Sequence, residues 1–442
     1  MTETPYLNQK FEQLEKGKQI PQNSVPKIQR VAHYLRDRKH FAKHYSPRLV
    51  SIGPIHHGAK NLQLGEKYKL MWAASYLERK KQDARALYQK IASNIKQLKE
   101  LFAEDVIEAF PDDEKLSWML LVDGCALLQI LEEVKIDHPE EMNVNVEQLI
   151  LLFQDVLLLE NQIPYEVLKL LSGPKNDANL LNSVKEFLGY HPDKPKQGAV
   201  KQDTGKEKTK DEDSFREELP LHLLDQYRKL LLDDPRRDIH EKHLEVDVSD
   251  SYADEAMIIV HRNTRELKAA GIRVKRSNSR RISDVHFSSG WFWAELRLPA
   301  IMIDNTAPTA SLNLIAYEKC PDFKNNYEIC SYQAFMGSLI QHPDDVKELR
   351  SVGILHNALG NDEEVAKVYS TLSSSIEVVP NTEIYSHVGL QIEKHYRRKW
   401  RTWIARSYDT YFSSPGTIIA FYAAVAALLL TFIQTWCAIK QL

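Results

Sequence analysis

The chain has 442 residues, 43% of them hydrophobic and 27% charged, which is long enough for two or three globular domains. Its 16 glycines fall well short of the roughly 7% usual in proteins and disfavour a turn-rich all-β fold. A formal net charge of −3 excludes the overall basic field of a nucleic-acid-binding protein, so no nucleic-acid partner is expected.

Four cysteines, Cys125, Cys320, Cys330 and Cys437, stand far apart without a CxxC pair. They read as neither a disulfide framework nor a zinc site, and no cofactor or metal is expected. Residues 1–24 are polar and read as a flexible arm, with no apolar core of a secretory signal. No Asn-x-Ser/Thr acceptor occurs among the asparagines, where chance would supply roughly two. Both observations place the main body, residues 25–411, in the cytosol as an expectation.

Val25-Pro26 is an extended entry, and the spacing of Ile28, Val31 and Leu35 predicts a helix over 28–41. The phrase from Tyr45 to Gly58 holds two prolines, Gly53 and Gly58 in an apolar frame, which describes a fixed loop. Its adjacent imidazoles, His56 and His57, invite a metal. Neighbours in an extended chain point to opposite sides, however, and no carboxylate or thiol nearby completes a ligand set. A structural or hydrogen-bonding role is expected instead.

Helical spacing then dominates. Tyr68, Met71, Trp72, Tyr76 and Leu77 share one face, and Ile91, Ile95, Leu98, Phe102, Val106 and Phe110 follow in steps of three and four. Leu116 to Leu131 is apolar all round and reads as the central core helix, interrupted at Asp123 and Gly124. A buried Asp123 requires a partner or a raised pKa. Leu149 to Leu159 leads into Glu160-Asn161-Gln162-Ile163-Pro164, and Pro164 predicts a break near Ile163. Three polar residues between apolar runs should tie that break to backbone groups of neighbouring helices. The same carboxylate and amides could serve an enzyme, although no nucleophile or base is visibly paired with them.

From about 191 to 214 the chain is almost free of apolar residues and reads as a mobile charged insertion. Helical spacing returns at 219–232. His240 and His243 have helical i, i+3 spacing, but Pro235 and the acidic residues that follow argue against a formed metal-binding helix. A helix over 253–270 should stop at Gly271. Between 272 and 303 the period changes to two, which predicts a small antiparallel sheet with a basic first turn at Lys275-Arg276 and Arg280-Arg281. That turn faces a partner or lipid, or is simply solvated. Helices resume from Ser311 through Ser374.

The last long stretch, 417–439, carries no formal charge and a single amide, Gln434. As a helix it covers roughly 34 Å, enough for the roughly 30 Å hydrocarbon layer of a bilayer. Arg397, Arg398, Lys399, Trp400, Arg401, Trp403 and Arg406 precede it, a cationic and aromatic flank suited to a cytosolic membrane face. The reading is a C-terminally anchored, tail-anchored protein of the plasma membrane or an endomembrane. Ala420, Ala423, Ala424, Ala426 and Ala427 would permit homo-oligomers through the span.

Several phrases together carry a family resemblance. They are Ser51-Ile52-Gly53-Pro54-Ile55-His56-His57-Gly58, Glu66-Lys67-Tyr68-Lys69, Val122-Asp123-Gly124-Cys125, Asp155 to Pro164, Leu267 to Ile272, and Asn313-Leu314-Ile315-Ala316-Tyr317-Glu318. The chain resembles the plant family built on domain of unknown function 247 from about Val25 onward, with Leu312 standing where an Arg is common. The resemblance implies a plant-specific single-pass membrane protein without an established enzymatic activity, some grass members being implicated in self-incompatibility. It also marks Gly53, Pro54, His56, His57, Asp123, Gly124, Glu160, Asn161, Gln162, Pro164, Asn313 and Glu318 as motif positions.

The expected architecture is therefore mainly α, a multi-helix body with a small sheet and a C-terminal transmembrane helix. The expected function is protein interaction, recognition or signalling at a membrane, with unidentified protein partners and no catalytic residues. The rival is a hydrolase or transferase with a dispersed site drawing on His56, His57, Asp123 or Glu160, although GxSxG, HExxH and Gly-rich phosphate loops are absent.

Overall fold

The computed structural model describes residues 5–17, 26–38, 41–135, 137–173, 177–189, 219–232, 262–277, 279, 281–290, 293–323, 327–376, 383–397 and 415–440. The expected charged insertion and the pair His240 and His243 lie outside the described residues. The chain divides into two compact units. One comprises Met1–Leu230 with Thr306–Ile329, the other Leu231–Asn305 with Cys330–Leu442.

The first unit is organised around a central helix. Its helices are α1 (Pro5–Gly17), α2 (His33–Arg36), α3 (Gln63–Lys80), α4 (Ala84–Glu100), α5 (Glu104–Glu108), α6 (Asp113–Glu133), α7 (Val146–Asp155), α8 (Tyr165–Ser172), α9 (Asp177–Gly189), α10 (Leu223–Leu232, whose last residues fall in the second unit) and α12 (Ala307–Glu318). Helix α6 is the expected core helix, buried between Leu116 and Leu131 except at Trp118, which is exposed, and Val122, which is half-buried. Helices α3, α4, α8 and α9 pack on it. Each fully buried Leu or Ile of α6 contributes about 1.5–3 kcal/mol relative to exposure.

Contrary to the expected interruption, α6 runs unbroken through Asp123 and Gly124. A Cβ at Gly124 would come within 2.4 Å of Leu171 Cδ1 and 3.1 Å of Val167 Cγ1. The glycine thus permits close approach of α8 and makes no break.

Local sequence sets the helix starts. Asp83 and Asp112 accept backbone N–H groups of the first turns of α4 and α6. Asn145 and Gln148 form a reciprocal capping box on α7. Such caps satisfy amides that have no partner within the helix.

One expectation for this unit is corrected. The helix predicted over 28–41 shrinks to the four residues of α2, because Ile28 is committed elsewhere. Its N–H donates to Leu101 O and its carbonyl accepts from Ala103 N–H, forming a parallel bridge with Phe102. Within the N-terminal arm, Pro5–Gly17 is helical, with Leu7, Phe11 and Leu14 exposed at i, i+4 and i+7.

The second unit contains α11 (Thr264–Ala269), strands β1 (Ile272–Arg276), β2 (His286–Ser289), β3 (Ala294–Leu298) and β4 (Ile301–Ile303), most of α13 (Glu328–Leu339), α14 (Pro343–Ser351), strand β5 (Leu355–Asn357), α15 (Asp362–Ser374), α16 (Glu383–Tyr396) and α17 (Pro415–Lys440). Helix α11 ends before Gly271, as its sequence requires. The expected sheet over 272–303 is present, but its pairing is mixed. The strand order is β1-β3-β2, with β1 parallel and β2 antiparallel to β3. Strand β4 leaves that sheet and pairs in parallel with β5. Alternation along a strand reports which face is buried and not which direction its neighbour runs, so the mixed order is not written in the period.

Helix α17 contains a window, Ile419–Trp436, long and apolar enough to cross a membrane, and none of that window is buried against the protein. An uncovered apolar helix of this length is what a lipid environment would accommodate.

Candidate functional site

Most polar residues of the motif phrases converge in the first unit on one loop, residues 45–58, and its junction with the segment between α7 and α8, whereas Glu318 pairs elsewhere. The loop has few backbone partners of its own, so side chains supply them. Asp155, the last residue of α7, accepts N–H groups of Arg48 (3.0 Å), Leu49 (2.7 Å) and Val50 (2.9 Å). Asn161 Oδ1 accepts from Ile52 N–H at 2.7 Å, while its amide donates to Val50 O and Asp155 O. Asp123 Oδ2 accepts from Gly53 N–H at 2.8 Å. Five residues of the loop, Arg48, Leu49, Val50, Ile52 and Gly53, thereby have backbone groups held by side chains.

Gly53 itself could carry no other residue comfortably. Its φ is +82°, and an added Cβ would lie 2.3 Å from Gln162 O. The next residue, Pro54, is buried.

Below the loop, Lys69 Nζ lies 2.7 Å from Asp123 Oδ1, 3.0 Å from Glu66 Oε1 and 3.3 Å from Ser51 Oγ. Ser51 Oγ donates to Glu66 at 2.7 Å. Burial alone would lower the Lys69 pKa, but the charge and hydrogen bond of Asp123, followed by those of Glu66, raise it. Burial pushes Asp123 the other way, opposed by Lys69 and the Gly53 amide. We assign the pair as ionised at neutral pH, because both carboxylate oxygens and the ammonium each have short partners.

Glu160 forms the second junction. It accepts from Val31 N–H at 2.7 Å, from Arg36, and lies 2.9 Å from His56 Nε2. Burial would raise the pKa of this carboxylate, yet the His56 hydrogen bond, the Arg36 charge and the Val31 amide together lower it. Gln162 donates to Val156 O and Leu158 O at 2.8 Å each and accepts from Leu224 N–H at 3.2 Å. The helix break sits earlier than predicted, at Asp155 instead of Ile163. The amide side chains at 161 and 162 satisfy backbone carbonyls of the turn that leads to Pro164, which stands as the N-cap of α8.

Asn313, on α12, accepts from Leu159 N–H at 2.8 Å and donates to His44 O and Thr309 O. Glu318 of the same helix accepts from Arg228 Nε at 2.8 Å and from Ile329 N–H at 3.0 Å. His57 behaves differently from its neighbour. It is exposed and contacts the Phe110 ring edge-on at 5.6 Å. Of the membrane-flanking residues, Arg397 pairs with Glu393 at 3.1 Å, whereas Arg398, Lys399, Trp400, Arg401, Trp403 and Arg406 lie outside the described residues.

Chemically, this arrangement chiefly holds backbone. Lys69 sits beside a serine, but a charged, buried ammonium has no lone pair with which to take the Ser51 proton. The Cys125 thiol is pushed up to about 12 by burial, and burial likewise raises Cys320, the reverse of an activated nucleophile. Among the described residues no group of three or more His, Cys, Asp or Glu side chains could hold a metal ion.

Asp155 and Lys69 are functional parts of this joint that reasoning from sequence did not single out. Lys69 had a legible signal. It shares the apolar face with Trp72 and Tyr76 at i, i+3 and i+7, where an unpartnered cation is costly.

The sequence profile of a plant family described as plant protein of unknown function, DUF247, matches residues 28–430. The chain is 27% identical over 420 residues to the UPF0481 protein At3g47200 of Arabidopsis thaliana, covering 90% of this chain and 83% of that one. It is 29% identical over 171 residues to the putative UPF0481 protein At3g02645 of the same plant, covering 38% of this chain and 31% of that one. No solved structure matches the chain. A match this long takes in the Asp155, Glu160 and Asn313 joints and the apolar C-terminal helix as far as residue 430, and the chain is a member of the plant DUF247 family.

Proposed function

We propose that this protein is a membrane-anchored recognition or signalling component whose helical body presents a surface to protein partners. The observation that supports this reading is how completely the motif carboxylates and amides are engaged. Asp155, Glu160, Asn161, Gln162 and Asn313 are each bound to backbone groups of other segments, which leaves them as braces for a rigid body. In this reading α17 sits in lipid and the body faces the cytosol. Family members implicated in grass self-incompatibility are a precedent for a recognition role of this kind.

Proximity labelling with the full-length protein in plant cells tests the reading. Reproducible recovery of the same membrane-associated proteins is the expected result, and their absence across replicates contradicts it. Protease protection in sealed microsomes tests the side: digestion of the body without detergent supports the cytosolic placement, and protection opposes it. The rival, a hydrolase or transferase with a dispersed site, would gain from turnover of an ester or activated acyl substrate that is lost in His56→Ala and Glu160→Gln.

A further inference from the structure

Among the described residues, strand β1 pairs with one strand. It lies at the edge of the order β1-β3-β2, and its register pairs Ile272 with Ala294 and Arg276 with Leu298. Gly271 O accepts from Ala294 N–H, and Ser277 N–H donates to Leu298 O, so the odd-numbered residues turn their backbone groups toward β3. In a parallel ladder the alternate residues turn theirs away. Those of Ile272, Val274 and Arg276 therefore point outward, and the described residues supply them with no hydrogen-bond partner. An open row of donors and acceptors of this kind is a template for another strand.

The two faces beside that row differ in chemistry. On one, Arg273, Lys275, Glu295 and Arg297 lie together, three cations against a single carboxylate already shared by Lys275 and Arg297. Arg273, Lys275 and Arg276 are all exposed. On the other face Ile272 is buried and Val274 half-buried, continuous with the buried Ala294, Leu296 and Leu298 of β3. A strand laid along β1 would meet carboxylate-seeking positions on its outer face and apolar ones on its inner face, alternating with period two.

We propose that the free edge of β1 binds an extended segment of a partner protein in which apolar and acidic residues alternate, adding a fourth strand to the sheet. The proposal deepens the recognition reading above, and rests on it only for the partner being a separate protein. A second copy of this chain is a poor occupant, because it would set Arg273 and Lys275 against their own counterparts. Lipid headgroup phosphates are also a poor match. They accept hydrogen bonds but offer no row of donors to the outward carbonyls of Ile272, Val274 and Arg276.

The test uses the full-length protein in detergent micelles and a fluorescein-labelled peptide of alternating valine and glutamate, read by fluorescence anisotropy. Wild type should bind the peptide, more weakly at high salt, and should not bind the same peptide with lysine in place of glutamate. Val274→Pro removes an outward N–H and no ladder bond, so its melting temperature should stay close to that of wild type while binding weakens at least about tenfold. Equal binding by Val274→Pro and wild type, or equal binding of the two peptides, overturns the proposal. So does exclusive binding to phosphatidylglycerol vesicles. The sequence Leu244-Glu245-Val246-Asp247-Val248 carries the same alternation within this chain. Peptide binding that appears only in the doubly substituted Glu245→Lys, Asp247→Lys protein would assign the edge to that segment and also overturn a partner in trans. Because the readout is a purified two-component titration, failure here leaves the proximity-labelling result intact.

Discussion

Lys69 Nζ and Asp123 Oδ1 stand 2.7 Å apart with each side chain about 1% exposed, an ion pair closed off from water beneath the 45–58 loop. Removing one member leaves the other charge buried and unpaired. Lys69→Met should therefore destabilise the protein by about 3–5 kcal/mol. The double substitution Lys69→Met, Asp123→Leu should recover part of that loss, since no charge then remains, although the Gly53 amide still loses its acceptor. Thermal unfolding of the three variants in detergent checks the order: wild type most stable, the double variant between, Lys69→Met least. A double variant no better than Lys69→Met would show that the Gly53 contact, not the charge balance, dominates.

Two glycines of the same loop offer a controlled comparison. Gly58 has φ +75° and nothing within 4 Å of a built Cβ, whereas Gly53 has φ +82° and Gln162 O at 2.3 Å. Gly58→Ala should cost about 1 kcal/mol, the left-handed conformation alone. Gly53→Ala adds a collision with backbone that has nowhere to go, and should lower the melting temperature by distinctly more. Equal shifts for the two variants would deny the close packing of the loop against Gln162.

Asn313 serves three backbone groups at once. Asn313→Ala leaves the Leu159 N–H without its acceptor and the His44 and Thr309 carbonyls without its donor. A buried group left unsatisfied costs about 1–3 kcal/mol, so a loss of several kcal/mol is expected. Asn313→Asp keeps the acceptor but sets a carboxylate against two carbonyls, and it should not rescue the protein at neutral pH. Hydrogen exchange at Leu159 reads the effect directly.

Acid should weaken the fold. Burial, followed by the Lys43 and Arg48 charges, lowers His44 to about 4, and burial lowers His222 to about 4 against the pull of Asp225. Between pH 6.5 and 4 both imidazoles take up protons more readily in the unfolded chain, so stability falls as pH falls. Asp155 works the other way. Burial lifts it to about 6 despite the amides of Val50, Arg48 and Leu49, so between pH 6 and 3.8 the folded form holds the extra proton. Two protons against one leave a net loss of stability on acidification. Glu160, with its lowered pKa, adds to the loss below about 4.5. Melting temperatures measured from pH 7 to pH 4.5 should decline, and His222→Asn, which keeps an acceptor for the Asp225 N–H, should flatten the curve.

The parts of this fold that could be read from residues were those in which one physical requirement acts alone. Helix α6 is apolar all round because it is surrounded, and α17 is free of charge over a length that suits a bilayer. Where two requirements compete, spacing misleads. Ile28, Val31 and Leu35 have helical spacing, but the Ile28 backbone pairs with Phe102 and the Val31 amide serves Glu160, so extended structure prevails. The break before α8 shows the same thing: Pro164 marks a limit, while Asp155 moves the actual end of α7 nine residues upstream by capturing the amides of a loop more than a hundred positions away. The roles of Glu160, Asn161 and Gln162 as ties were legible from polarity within an apolar run. Their partners were not, since nothing local specifies which distant backbone lacks a hydrogen bond.

The central claim is that a braced helical body is held to a membrane by α17. Alkaline carbonate extraction of microsomes containing the intact protein tests it most directly. The account predicts that the full-length chain remains in the pellet with integral membrane proteins, because the uncovered Ile419–Trp436 stretch lies in lipid. Quantitative release of the intact chain into the supernatant would contradict it.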